Sequence, residues 1–407
     1  MQPFIKWPGG KQEELKVIIP NLPKKIERYI EPFVGGGAVY LDIDKTEELI
    51  INDKSKELIS LYEHIKEQNK EFLDKLRAIN HNWILLEEIV EKNHEELIEN
   101  YIKFSNDELS DVDFNDFLIR FIIKHNDKLN GLLESSFNIN IKNFINEIER
   151  NLKNKTKRMK KIEKERGKLS NTDILDNYES AFKSGFYMHF RHLYNNINKY
   201  NISKPFASSI FYYIREFCYS SMFRYNKSGG FNVPYGGISY NRKNFGSKIN
   251  RLSDEELIEH LKKTSIFSLD FEDFLNEINP TTGDFIFLDP PYDTDFSTYA
   301  NNTFDKQDQT RLAKYLEKTK ANFMLVIKNT DFIYSLYKDF EIITFDKKYL
   351  VSFQNRNDKE AEHLLITNYK VGNKKNDTEK TSMNNWTEEE QEVTKAVIEA
   401  AKIHIKI

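Results

Sequence analysis

The tetrapeptide Asp289-Pro290-Pro291-Tyr292 holds the residue types best suited to chemistry in this 407-residue chain. It follows an apolar run, Phe285 to Leu288, that reads as a short strand. A turn at the carboxyl end of a parallel strand points into the ligand crevice. An amine conjugated to a purine ring is a poor nucleophile, because its lone pair is delocalised into the ring. A carboxylate and a carbonyl that accept from its two N–H groups draw the nitrogen toward tetrahedral geometry and aim the lone pair at a methyl donor. Asp289 and the carbonyl of Pro290 suit that task, and proline brings no competing N–H. Tyr292 suits stacking on a base that has left its duplex. Taken alone, the tetrapeptide is also explained by a Pro-Pro surface turn.

A second pattern weighs against that plainer reading. Glu31-Pro32-Phe33-Val34-Gly35-Gly36-Gly37 lies between a strand candidate and a helix expected from about Ala38. Glycines at a strand-to-helix turn let backbone approach a ligand closely. Asp53 ends the next strand candidate, Leu49-Ile50-Ile51-Asn52-Asp53, where an acid accepts hydrogen bonds from ribose hydroxyls. Together the two features point to a nucleoside-containing cofactor.

A third stretch, Met222 to Gly236, reads as a hairpin turning at Lys227-Ser228-Gly229-Gly230 and edged by Arg, Asn and aromatic residues. Arginine on such an element reads guanine O6 and N7, asparagine reads adenine, and Lys227 and Lys243 suit phosphates. A structural hairpin with a solvated arginine is the plainer alternative. Between Asn151 and Ser170 nine basic residues stand against two acids, which suits either a solvated helical face or a phosphate-binding strip.

These residues need elements to position them. Residues 1–62 and 264–372 have doubly wound α/β character, with strands expected at Phe285–Leu288 and Phe323–Ile327. Residues 63–263 are rich in Asn, Lys, Glu and aromatics and show helical periodicity, as in Asp116 to Ile123, so a helical insertion divides one α/β domain. Residues 373–407 read as a polar linker and an amphipathic helix from Glu388 to Lys406.

The single cysteine, Cys218, excludes an internal disulfide and a Cys-rich zinc site, and the histidines lack metal-ligand spacing, so no metal is expected. No apolar run approaches the roughly 20 residues that cross a membrane. The first residues lack a signal-peptide pattern, so a cytoplasmic location is expected. The net charge of −4 is no guide to partners.

The ordered set of motifs resembles the Dam-type (D12 class) DNA adenine methyltransferases over most of residues 3–62 and 205–372. Pro3-Phe4-Ile5-Lys6-Trp7-Pro8-Gly9-Gly10-Lys11 is similar to the family's opening motif, which implies cofactor contacts for Trp7 and Lys11. The resemblance assigns Glu31, Phe33, Gly35 and Gly37 to the methionine-proximal turn and Asp53 to ribose. It assigns Asp270 and Phe271, in Ser268-Leu269-Asp270-Phe271, to the cofactor's adenine, and Asp289, Pro290 and Tyr292 to catalysis. Asn355-Arg356-Asn357-Asp358-Lys359-Glu360 with Leu364 to Tyr369 resembles the family's C-terminal segment.

The implied fold is a Rossmann-like α/β sheet with an inserted, mainly helical target-recognition domain, and the implied cofactor is S-adenosylmethionine. The implied partner is double-stranded DNA, with a cognate restriction endonuclease acting separately. The hairpin, about 222–245, enters DNA in this family, which makes Arg224 the leading base reader, with Asn226, Lys227, Asn232, Arg242, Lys243 and Asn244 beside it. A GATC target is compatible with Arg224, but the insertion at about 80–200 leaves another or longer site equally open. Monomer and homodimer are both compatible with the sequence. The rival readings are methylation of cytosine N4 or RNA, and a DNA-binding regulator that keeps a cofactor pocket without catalysis.

Overall fold

A computed structural model of the chain describes residues 1–44, 46–125, 139–292, 304–348 and 360–371. Seven strands form one sheet: β1 (Arg28–Glu31), β2 (Glu48–Asn52), β3 (Thr264–Phe267), β4 (Phe285–Leu288), β5 (Asn322–Lys328), β6 (Glu341–Lys348) and β7 (Glu360–Thr367). Their order is β3-β2-β1-β4-β5-β7-β6. β1, β2, β3, β4 and β5 pair in parallel, with Tyr29 opposite Leu49 and Phe285, and Phe287 opposite Met324. β7 runs antiparallel to both neighbours. The Phe-Ile-Phe-Leu of β4 is buried throughout, as expected of a strand covered on both faces. Ile30, Ile50, Ile286, Leu325 and Ile366 meet residues such as Leu275 and Leu312 from the flanking helices α11 (Phe271–Ile278) and α12 (Lys306–Leu316).

The chain runs from β1 outward through β2 to β3, then returns to the other side of β1 as β4. Strand order therefore reverses between β1 and β4, and a crevice opens there at the carboxyl ends of the strands. One local expectation is corrected. After Gly37 the chain makes only a 3-10 turn at Tyr40–Asp42, and no α-helix starts near Ala38. Ala38, Val39, Tyr40 and Leu41 are all buried, which leaves no solvent face for an amphipathic helix.

A short helix, α1 (Leu15–Ile18), follows the opening motif. Between β2 and β3 the described residues are mainly helical: α2 (Lys56–Lys66), α3 (Lys70–Lys92), α4 (His94–Ser105), α5 (Asp111–Lys124), α6 (Ile141–Arg166), α7 (Asn171–Tyr194), α8 (Lys204–Phe217), α9 (Phe245–Arg251) and α10 (Glu255–Lys262). Caps mark the helix starts: Ser170 and Asp173 form a capping box on α7, and Ser203 caps α8 ahead of Pro205. The shared interior is aromatic, with Trp83 of α3 against Phe217 and Tyr213 of α8 and Phe186 of α7. The basic stretch of α6 is laced with acids: Lys153 with Glu149, Lys160 and Lys164 with Asp107, Lys157 with Asp111. Its charge is therefore substantially answered within the chain.

Residues Met1–Asn368 form one compact unit; Tyr369–Ile407 form a second, of which residues 369–371 are described. The expected helix at 388–406 and Asn355–Lys359 lie outside the described residues. No described helix is long and apolar enough to cross a membrane.

α6 and α7 cross closely at Gly185, where an added Cβ would stand 2.8 Å from the Ile148 Cα. Gly185→Ala should therefore separate the helices and cost about 1–3 kcal/mol in urea denaturation. An unchanged midpoint would show that the crossing tolerates a methyl group.

Candidate active site

The crevice between β1 and β4 contains a cleft of about 320 Å³. Trp7, Lys11, Glu31, Phe33, Gly35, Gly37, Asp53, Asp270, Phe271, Asp289, Pro290 and Tyr292 all line it. These residues come from five separated stretches of sequence.

The Gly-rich turn sits directly above β1. Gly35 has φ +50°, and a Cβ there would stand 2.8 Å from the Trp7 indole, so the turn and the opening motif fit only around glycine. The Gly35 N–H donates to Asp53 Oδ2 at 3.1 Å, and the Ser55 N–H donates to Asp53 Oδ1 at 2.8 Å. Burial pushes the Asp53 carboxyl up to about 6, against the pull of these two donors. Glu31 is buried and accepts from the Tyr29 hydroxyl at 2.6 Å; burial holds its carboxyl well above the usual range.

Asn52 was missed by the sequence reading. Its side chain donates to the carbonyls of Pro32 and Leu269 and accepts from the Leu269 N–H, tying together the loops that follow β1 and β3. A polar residue ending an apolar strand was the available signal.

Opposite stands the Asp289 turn. Lys11, itself buried, places its Nζ 2.5 Å from Asp289 Oδ1, 3.0 Å from the Tyr292 hydroxyl and 2.9 Å from the Gly9 carbonyl. Burial pulls the Lys11 ammonium down, but the Asp289 carboxylate outweighs it and holds the group above its usual value. From α12, the buried Gln309 donates to the Pro291 carbonyl at 3.0 Å and so fixes the turn from behind.

The far end of the cleft is aromatic: Phe33, Phe271 and Phe304 lie with ring centroids 5.5–5.6 Å apart. Asp270 caps α11 by accepting from the Glu272 N–H, and it also pairs with Arg311. Burial would raise its carboxyl, but the Arg311 bonds hold it below the usual value.

Residues 7–182 and 143–351 match the model of the D12 class N6 adenine-specific DNA methyltransferases. The chain belongs to this family. Its sheet is therefore that of a DNA adenine methyltransferase, which favours adenine in DNA over the cytosine and RNA readings. The type II methyltransferase M.CviBI of Paramecium bursaria Chlorella virus NC1A is 27% identical over 373 residues, covering 91% of this chain and 100% of its own. The type II methyltransferase M.MjaIII of Methanocaldococcus jannaschii is 27% identical over 392 residues, covering 91% and 99%. A DNA adenine methylase of Vibrio cholerae is 22% identical over 336 residues, covering 81% of each.

In the methyltransferase the hairpin forms through bridges pairing Tyr225 with Phe231 and Cys218 with Tyr235. Arg224 is exposed on it and donates to Asn232 Oδ1 at 3.0 Å. Asn226 uses its carbonyl oxygen to hold the turn, accepting from the Ser228 and Gly230 N–H groups, and Lys227 is exposed at the tip. The other three candidates lie beyond the hairpin. Arg242 pairs with Asp176 at 3.6 Å. Lys243 donates to the Glu216 carbonyl and lies over the Tyr240 ring. Asn244 caps α9. The hairpin meets the cleft at Phe223, whose ring is 4.8 Å from Trp7, with the buried guanidinium of Arg215 against both rings.

Lys11→Met should strip Asp289 of its cation. The expected loss of stability is about 3 kcal/mol, the low end for a broken buried pair because Asp289 is 19% exposed. Methyl transfer should fall with it, measured by urea denaturation beside a tritiated-methyl assay. Wild-type stability would show that the pair is not holding the turn.

Proposed function

We propose that this methyltransferase moves a methyl group from S-adenosylmethionine to N6 of an adenine flipped out of a specific double-stranded DNA sequence. The observation that carries this reading is the single cleft that joins the Gly-rich turn and Asp53 to Asp289 and Tyr292. The cleft residues suit the cofactor: a carboxylate for ribose hydroxyls, a cluster of phenylalanines for a purine and a glycine turn that admits close approach. Trp7, Glu31, Phe33, Gly35, Gly37, Asp53, Asp270 and Phe271 would hold it. When bound, it supplies an electrophilic methyl group on a sulfonium sulfur.

The chain's own residues prepare the nitrogen. Asp289 and the Pro290 carbonyl accept from the two N6 hydrogens, which draws the lone pair out of the ring and turns it toward the donor. Lys11 fixes one oxygen of Asp289 and the hydroxyl of Tyr292, so the carboxylate and the stacking ring are held as one unit. The carboxylate stabilises positive charge as it develops on N6, and one of the two N6 protons then leaves to solvent, which neutralises the methylated nitrogen. Arg224, with Asn226, Asn232 and Lys227, would meet the DNA on the hairpin. The two relatives named type II methyltransferases support a modification role. A separate restriction endonuclease would act at the same sites, in the cytoplasm of a bacterial, archaeal or phage-infected cell.

Single-molecule sequencing of DNA from a methylation-free host expressing the chain should show N6-methyladenine at one motif, and Asp289→Ala should abolish it. Methylation at full rate by Asp289→Ala would overturn the assignment.

Asp53 gives the donor site a pH dependence. Its folded carboxyl lies near 6 against the usual 3.8, so it opposes folding increasingly as pH rises from about 4 to 6. Donor binding needs the ionised form and should therefore weaken as pH falls through about 6. In calorimetric titrations Asp53→Asn should bind more weakly and lose this dependence; an unchanged pH profile in the variant would remove Asp53 from the donor site.

A further inference from the structure

The residues of α7 that face the hairpin recur every four positions. Glu179, Lys183, Tyr187, Arg191 and the C-cap Asn195 therefore fall on one stripe of the helix. Each reaches the segment 231–241, directly or through its neighbour. The Lys183 ammonium is fully buried, pairs with Glu179 and Glu87, and donates to the Asn241 carbonyl at 2.7 Å. The Tyr187 hydroxyl and the Arg191 guanidinium both donate to the Val233 carbonyl, at 2.9 and 3.2 Å. Asn195 meets Phe231 twice, donating to its carbonyl at 2.9 Å and accepting from its N–H at 2.8 Å, as a neighbouring strand would. Asn241 completes the series by donating to the Asp176 carbonyl. The series runs from Asp176 to Asn195, about 28 Å of helix at 1.5 Å per residue.

A two-stranded hairpin is marginally stable alone. Here two bridges and four backbone bonds, from the N–H groups of Asn226, Asn232, Tyr219 and Gly236 to the carbonyls of Gly230, Arg224, Pro234 and Phe217, join the two arms. The N–H and carbonyl of Phe231 and the carbonyl of Val233 bond to α7, which fixes the returning arm from its other edge. α7 is in turn clamped to α6 at Gly185, and the Asn151 amide oxygen accepts from Ser184 at 2.8 Å. Lys153, Lys157, Lys160, Lys161 and Lys164 of α6 pair with acids on α6 itself, on α5 and in the turn between α4 and α5, whereas Arg158 and Arg166 are exposed.

We infer that the long insertion is a buttress that fixes the register and pose of the reading hairpin, and that Tyr187, Arg191 and Asn195 are positioning residues for target specificity. This rests on the hairpin reading of DNA proposed above. The insertion then acts on the choice of site through the hairpin, while α6 adds no phosphate contacts of its own.

The test uses the full-length enzyme, with Tyr187→Phe and Asn195→Asp singly and combined. Both keep the shape of the side chain; the first removes one donor and the second one donor of a two-bond contact. Each single variant should raise KM for a duplex carrying the sequenced target by roughly three- to tenfold. kcat at saturating DNA and the Kd for S-adenosylmethionine should stay at wild-type values. The combined variant should also methylate near-target sites in plasmid DNA that the wild type leaves unmodified. A merely structural role would instead lower kcat, donor binding and melting temperature together, which would overturn the inference.

Lys157→Gln, Lys161→Gln and Lys164→Gln combined should leave the salt dependence of DNA binding unchanged. A slope reduced by about 0.9 for each lysine would mean that α6 touches phosphates, and the buttress reading would fail. Arg224→Ala separates the two claims. If it changes neither DNA affinity nor site choice, the hairpin reading itself fails. If it does both while Tyr187→Phe and Asn195→Asp behave as wild type, only the buttress fails.

Discussion

The contact on which the site depends is the ion pair between Lys11 and Asp289. It joins the loop before α1 to the loop after β4, and it is formed where water is largely excluded. An ammonium buried to this degree is costly unless a carboxylate and further acceptors meet it, and Asp289, Tyr292 and the Gly9 carbonyl do so. The cation in turn sets the orientation of Asp289, the acid proposed to face the target amine. The opening motif and the Asp-Pro-Pro-Tyr turn thus share one electrostatic unit.

That pair is possible only because the sheet reverses its strand order between β1 and β4. The reversal turns the loops after these two strands toward a common space. Asn52 and Gln309 then lock the loops by bonding to their backbone carbonyls. The N-terminal segment is held from the helical side, where Tyr212 and Arg215 of α8 donate to the carbonyls of Phe4 and Lys6. Sheet and helices therefore each supply part of the frame around one cleft.

The same division appears around the hairpin. Its tip is shaped locally, by Asn226 accepting from Ser228 and Gly230 and by Gly229 at φ +81°. Its base is shaped remotely, by side chains of α7 that stand more than thirty residues away in sequence. Arg215, buried between Trp7 and Phe223, lies where the cleft and the hairpin meet. Movement of the hairpin base would be felt by the indole that packs against Gly35.

The sequence by itself determined the strands around β1, β2, β4 and β5, because short apolar runs buried on both faces have a local signature. It also determined the candidate residues of the cleft, because a glycine turn, a strand-end acid and an Asp-Pro-Pro-Tyr turn each have chemistry that can be recognised without their neighbours. What depends on distance in the chain was not legible. The pairing of Lys11 with Asp289, the use of Asn52 and Gln309 as clamps, and the carbonyl bond, cap and ion pair that engage Lys243, Asn244 and Arg242 are contacts between residues whose types suit many roles. A lysine in a basic stretch looks the same whether it faces phosphate or Asp107, and only packing places the acid beside it. Even the turn after Gly37, expected to start a helix, was decided by tertiary burial of all four residues from Ala38 to Leu41, which removed the solvent face that an amphipathic helix needs.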